Sequence, residues 1–316
     1  MKPVVLITES DGMSSQARHD LEQVGYVIAA SIVDRSELLT AVKAAAVLWV
    51  RLRHRIDAEV IASAPNLAVI ATPTTGLDHI DVNAADRANV EILSLRDAGS
   101  FLDDVRATSE LTLGLMLSLL RRIPQATRDV TLGHWDRDAF KGLELCRRTV
   151  GIIGYGRLGR LVAGYLKAFG ARVVACDPHV HSDDIEMMTL DEVLAISDVV
   201  SIHVKLSDET RGLIGHRELA LLKPSAILIN TSRGELIDEH ALLDALTSRR
   251  IAGAALDVLA GESASGVGHL PLVSYAREHP ELLITPHIGG CTFESMAMTE
   301  VFLARRVRDA LMRGRQ

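Results

Sequence analysis

The chain has 316 residues, 48% of them hydrophobic and 24% charged, which is enough for two globular domains of ordinary composition. A formal net charge of -7 and a pI near 5.9 exclude the dense basic face that a nucleic acid or an anionic membrane requires, and leave a small molecule as the expected partner. Cys146, Cys176 and Cys291 form an odd set without CxxC spacing, and no apolar run is long enough for a signal peptide or a membrane span. The expectation is therefore a reducing, cytoplasmic setting with no disulfide framework and no metal.

From the N-terminus, short Val- and Ile-rich runs alternate with helix-periodic segments. PVVLIT, YVIAA, AVLWVR, LAVIAT and VEILSL read as buried strands, and the alternation predicts a parallel sheet covered by helices on both faces. A long helix-like stretch, FLDDVRATSELTLGLMLSLLRRI, follows; it is expected to close at Pro124 and to lie buried between two bodies. After Arg148 a second series begins, with strands at TVGIIG, RVVACD, DVVSIHV, AILINTS, GAALDV and LLITP, helices such as EHALLDALTS between them, and a short helix at LPLVSYARE. The last segment sets Ala297, Val301, Ala304, Val307 and Leu311 at helical spacing, which predicts a closing helix that returns to the first domain and makes it discontinuous.

The run GIIGYGRLGR places Gly154, Gly156 and Gly159 in GxGxxG spacing, after a strand and at the start of a helix expected to reach about Phe169. A dinucleotide needs such a turn: one glycine for its tightness, one for close approach of the pyrophosphate, one for helix-to-strand contact, with the helix N-terminus facing the phosphates. The next strand ends in Asp177, roughly 20 residues on, where a carboxylate binds the adenine-ribose hydroxyls and repels a 2′-phosphate. The expected cofactor is NAD(H) rather than NADP(H). The fold class is α/β, two doubly wound parallel-sheet domains, with a Rossmann NAD-binding domain inserted in a flavodoxin-like substrate domain. Residues 1–102 begin the substrate domain, 103–288 form the NAD-binding domain, and 289–316 are the closing helix.

Three polar residues stand at the C-terminal ends of late strands, where open α/β sheets carry their sites. Arg233 follows AILINTS, Glu262 lies just past GAALDV, and His287 follows LLITP. An arginine fork matches a carboxylate, a histidine exchanges a proton near neutral pH, and a glutamate beside it favours the imidazolium. Together they describe hydride transfer to a 2-keto acid, with Arg233 orienting the substrate, His287 protonating its carbonyl oxygen and Glu262 keeping His287 charged.

INTSRGELID, ALDVLAGE and ITPHIGG resemble the three signatures of the D-isomer-specific 2-hydroxyacid dehydrogenase family, whose catalytic Arg, Glu and His fall on Arg233, Glu262 and His287. TTGLDHIDV resembles the family's substrate loop, and RRIPQATRDVTLGHWDRDAFKGLEL looks most like the D-3-phosphoglycerate dehydrogenases within it. The resemblance covers nearly the whole chain. It implies a substrate domain built from both chain ends, a middle cofactor domain, and a homodimer formed through that domain. It also implies cofactor contacts at Thr75, Arg157, Leu158, Asp177, Val204, Thr231, Asp257 and Gly290. The substrate carboxylate would meet backbone N–H groups of the turn Thr74, Thr75, Gly76, as well as Arg233. Arg51 matches an arginine that phosphoglycerate dehydrogenases place at the substrate, and equally reads as a strand cap in the run RLRHR.

Several positions depart from the family pattern. Thr72 stands where phosphoglycerate dehydrogenases often carry a second arginine, Thr74 stands for a glycine beside Pro73, Ser263 for the proline after Glu262, and Lys205 for a proline after the third cofactor strand. The chain stops at Gln316, so feedback control through a C-terminal module is not expected. These departures bear on the substrate rather than on the reaction. The leading reading is an NAD-dependent D-2-hydroxyacid dehydrogenase, with D-3-phosphoglycerate as one candidate substrate; the alternatives are a hydroxypyruvate- or glyoxylate-type 2-keto acid reductase and a dinucleotide-sensing binding protein, which would bind NADH without consuming it.

Overall fold

A computed structural model describes residues 2–262 and 266–313. The chain divides into two compact units, one of Met1–Val105 with Cys291–Gln316 and one of Arg106–Gly290. In the first, strands β1 (Val4–Ile7), β2 (Tyr26–Ala29), β3 (Val47–Trp49), β4 (Val69–Ala71) and β5 (Glu91–Leu93) pair in parallel in the order β2-β1-β3-β4-β5. This is the flavodoxin-like winding, whose order reverses between β1 and β3. Successive side chains of a strand point to opposite faces, so Val5, Ile7, Val47 and Trp49 enter one core while Leu6, Leu48 and Ile70 enter the other. Helices cover both faces of β1, β3 and β4, which is why these strands are apolar at nearly every position. The edge strands β2 and β5 were expected to be buried too, but β2 has no buried residue and β5 buries only Leu93, because an edge strand has a neighbour on one side alone.

The closing helix, Phe293–Arg313, belongs to this first unit and packs against the Ser15–Val24 helix. Its buried stripe differs from the expected one. Ala304 and Val307 are buried as the spacing predicts, but Ala297, Val301 and Leu311 are only half-buried, and Ser295, Thr299, Glu300, Leu303 and Ala310 complete the stripe. The sheet sets the helix's rotation, and it turns a glutamate inward.

The second unit is a 7-stranded sheet of β6 (Thr149–Ile153), β7 (Arg172–Cys176), β8 (Glu186–Met187), β9 (Val199–Ile202), β10 (Ile227–Asn230), β11 (Gly253–Leu256) and β12 (Leu282–Ile284). All pairings are parallel, in the order β12-β11-β10-β9-β6-β7-β8, so the order reverses between β6 and β9. This is the Rossmann winding with one added strand. The sequence pattern missed β8, whose two residues carry no apolar run.

The stretch expected as one helix closed by Pro124 is a 3-10 helix, Gly99–Asp104, and two α-helices. The first α-helix, Ala107–Leu120, buries Leu113, Met116 and Leu120 in the second unit's own core. It ends where Arg122 takes the left-handed region at φ 56°, and Pro124 sits in the first turn of the next helix, Ile123–Thr131. Proline lacks only an N–H that a first turn leaves unbonded anyway, so it starts this helix rather than stopping the one before. Ser263 and the chain end at Gln316 lie outside the described residues.

Candidate active site

The glycine turn follows β6 directly. Gly154 has φ +92°, and a Cβ there would stand 2.6 Å from the His203 carbonyl oxygen and 3.0 Å from Val204, so only glycine fits. Gly159 lies against the Gly154 carbonyl, and a side chain would drive the Arg157–Ala168 helix away from the strand. At Gly156 a Cβ would meet nothing within 4 Å, so the space beside the helix start is open. There the first N–H groups of a helix lack intrahelical acceptors, and Arg157 and Leu158 begin that helix. Asp177, just past β7, accepts the Tyr155 N–H at 2.8 Å on one oxygen and the His179 N–H at 2.9 Å on the other. Each oxygen keeps a second lone pair, as two vicinal ribose hydroxyls require. The cradle and the acid fit an NAD ribose and pyrophosphate. Val204 is half-buried after β9, and Thr231 is buried after β10, where its hydroxyl meets that of Thr112 at 2.9 Å.

β12 runs out through Thr285 and Pro286 to His287, whose φ of 53° is uncommon for a residue with a side chain. The bend is held from behind. The His287 N–H donates to the carbonyls of Asp257 at 2.8 Å and Thr285 at 3.0 Å. The Asp257 side chain, in a residue only 1% exposed, accepts the Thr285 hydroxyl at 2.6 Å, the Ile288 N–H at 2.9 Å and the Gly289 N–H at 2.7 Å. Burial raises its carboxyl above the usual 3.8 in spite of these donors and the nearby His287. Gly290, next along, is exposed with open space where a Cβ would stand.

His287 Nδ1 bonds directly to Glu262 Oε1, and the other Glu262 oxygen accepts the Leu259 N–H at 3.1 Å. Burial pushes the Glu262 carboxyl up, but the hydrogen bond and charge of His287, the Leu259 N–H and the positive charge of Arg233 outweigh it, and the net displacement is below the usual 4.5. The structure therefore brings Glu262 and His287 into contact and Arg233 within electrostatic reach of them. The Arg233 loop is pinned by Asn230, fully buried at the end of β10. Its amide donates to the Arg233 carbonyl at 2.8 Å and accepts the Ser232 N–H at 3.0 Å, while the Ser232 hydroxyl donates to the Ile202 carbonyl at 2.8 Å. Sequence reasoning passed over Asn230 and Thr285. The available signal was a lone amide ending an apolar strand.

In the first unit, Thr74 and Gly76 are half-buried and Thr75 is exposed. The Thr74 hydroxyl donates to the Gly76 carbonyl at 2.7 Å and lies 3.0 Å from that of Thr72, which is fully buried and also 3.2 Å from His79 Nε2. Arg51, two residues past β3, pairs with Glu300 through its guanidinium and donates to the Asp11 carbonyl at 3.1 Å.

The family model for the NAD binding domain of D-isomer specific 2-hydroxyacid dehydrogenases matches residues 113–289. The chain is 37% identical over 314 residues to a D-3-phosphoglycerate dehydrogenase of Methanocaldococcus jannaschii, covering 98% of this chain and 58% of the relative. It thus spans little more than half the length of that relative. It is 34% identical over 277 residues to a hydroxypyruvate reductase of Thermotoga maritima, covering 87% of this chain and 88% of the relative. Among solved structures, the TT0316 protein of Thermus thermophilus superposes with a TM-score of 0.86 at 33% identity, covering 98% of this chain and 97% of the other.

Proposed function

The chain belongs to the D-isomer specific 2-hydroxyacid dehydrogenase family, and on that footing we propose that it is an NAD-dependent oxidoreductase interconverting a 2-hydroxy acid and a 2-keto acid. The observation that carries this reading is the direct bond between His287 Nδ1 and Glu262 Oε1 beside the charge of Arg233. Because Glu262 occupies Nδ1, Nε2 is the ring nitrogen that gives a proton to the carbonyl oxygen, and the carboxylate balances the imidazolium until it does. Arg233 binds the substrate carboxylate as a fork and polarises the adjacent carbonyl. When bound, NADH supplies the hydride. Gly154, Gly156, Arg157, Leu158, Gly159, Asp177, Val204, Thr231, Asp257 and Gly290 are the second unit's residues proposed to hold it, with Thr75 from the first. Thr74, Thr75, Gly76 and Arg51 are proposed for the substrate.

The names of the relatives supply two substrate tails, one phosphorylated and one not. The test is NADH oxidation with hydroxypyruvate and 3-phosphohydroxypyruvate, run beside His287→Ala. Turnover by the wild type, lowered about 10²–10⁴-fold in His287→Ala while NADH still binds, is the expected result. Undiminished turnover in that variant would remove His287 from the role of acid.

A homodimer through the NAD-binding unit accompanies this reading. The helix Ile123–Thr131 has no buried residue, and Val130, Leu132 and Trp135 are exposed, Trp135 by 88%. A second copy of the chain suits such an apolar arm. Cytoplasmic residence is proposed on the three free cysteines. Among the described residues, no helix is long and apolar enough to cross a membrane.

A further inference from the structure

Glu262 stands on the turn by which the chain leaves β11, and inside the second unit that turn is tied at two places to the segment that follows β10. Gly234, next to Arg233, is buried with its backbone against the turn. A Cβ there would lie 2.0 Å from the Leu259 carbonyl carbon and 2.1 Å from the Ala260 nitrogen, so no side chain fits. The second tie is Glu239, the first residue of the helix Glu239–Thr247, whose Oε1 accepts the Ala260 N–H at 2.6 Å. Within the turn the Glu262 N–H donates to the Leu259 carbonyl at 3.3 Å, and Gly261 takes φ +78°. Ala260 is thus the point at which an outside group grips the loop that carries Glu262.

An acid in the first turn of a helix is ordinarily held in water, where it complements the unpaired N–H groups of that turn. Here Asp238 already accepts the His240 and Ala241 N–H groups, and Glu239 is half-buried and turned to another element instead. Burial raises the Glu239 carboxyl above the usual 4.5, and the charges of Glu235 and Glu262 add to the rise against the Ala260 N–H and the charge of His240. The carboxylate therefore sits where both solvation and its neighbours oppose its charge, bonded to a backbone N–H of the Glu262 turn. We infer that Glu239 is a positioning residue, whose bond to Ala260 fixes the turn so that Glu262 Oε1 stays on His287 Nδ1. Its bearing on turnover rests on the reductase reading above and deepens it.

The experiment measures kcat and the pH profile of kcat/KM for hydroxypyruvate reduction by NADH, on the full chain, for the wild type, Glu239→Gln, Glu239→Asp and Glu239→Ala. Glutamine keeps an oxygen on the Ala260 N–H without the charge, whereas aspartate keeps the charge at the helix start but falls one methylene short of Ala260. Glu239→Asp and Glu239→Ala should lower kcat about tenfold, and Glu239→Gln, the conservative rescue, should lose no more than about twofold. A loosened Glu262 supports the imidazolium less, so the alkaline limb of the first two should move about one pH unit toward acid, and that of Glu239→Gln by about 0.3 unit or less. Among the described residues the other charges acting on the pair are Arg233 and Asp257, which are the same in every variant. A second measurement needs no substrate. Histidine NMR, with the His287 signal assigned by its loss in His287→Ala, should show the same acid-ward titration shift in Glu239→Asp and Glu239→Ala alone. Wild-type kcat and limb in those two variants, or equal losses in all three with an unmoved His287 titration, would overturn the inference. Silence of the wild type with keto acids while NADH binds would instead overturn the reductase reading, and the histidine titration would still decide whether Glu239 holds the pair together.

Discussion

Asp257→Asn tests whether His287, the proposed proton donor, is positioned by the acid beneath its loop. One Asp257 oxygen accepts Thr285 and Ile288, and the other accepts Gly289. An asparagine can keep its carbonyl oxygen toward the first pair, which turns its NH₂ against the Gly289 N–H; in the opposite flip the Thr285 hydroxyl accepts from the NH₂ and the Ile288 N–H is the one left bare. Either choice therefore leaves one buried N–H without an acceptor, at a cost of about 1–3 kcal/mol. Taking about 2 kcal/mol, expressed as the work of restoring the His287 geometry, kcat should fall about 30-fold. Thr285→Val removes a single donor and should lower kcat only about fivefold, for a loss near 1 kcal/mol. Steady-state NADH oxidation at saturating keto acid reads both, with thermal unfolding in parallel. Since burial raises the Asp257 carboxyl above 3.8, the folded state takes up this proton at a higher pH than the unfolded chain does. This group's contribution to stability therefore declines as pH rises from 3.8 through the folded value, while the loop loses its charged acceptor as pH falls below that value. The wild-type rate should have an acid limb that begins above pH 3.8, and Asp257→Asn should lack it. A variant with wild-type kcat and the same acid limb would show that these three bonds do not hold His287 in place.

Asp177→Ala removes the carboxylate proposed to exclude a 2′-phosphate, and should raise the ratio of kcat/KM with NADPH to that with NADH; an unmoved ratio would dissociate Asp177 from cofactor choice. Val130→Glu with Trp135→Glu places charges in the exposed arm, and should convert a dimer into monomers by light scattering without changing the circular dichroism. A wild-type protein already monomeric at micromolar concentration would dismiss the interface.

Much of the fold could be read locally. Apolar runs of strand length, helical spacing and a glycine turn are properties of neighbouring residues, and they marked the long strands of both sheets and the turn after β6. Arg233, Glu262 and His287 stood out because strands deliver them at their C-terminal ends, where few polar groups follow apolar runs. Pro124 was misread because a proline can end one helix or begin another, and the left-handed Arg122 before it decides which. β8 was missed because two residues on a sheet edge are recruited by pairing with β7, not by their own composition.

The sequence by itself thus determined most of the element order, the cofactor turn and the chemistry available at the strand ends. Beyond the pair of Glu262 and His287, only the tertiary structure decided which polar groups answer one another. Arg51 and Glu300 lie 249 positions apart, and their pairing follows from the rotation at which the closing helix docks on the first sheet. The Asp257 bracket likewise exists because parallel pairing sets β11 beside β12. Local propensity acts over a few residues, whereas burial of a helix face against a sheet sums contacts from the whole unit, and that sum places these charges.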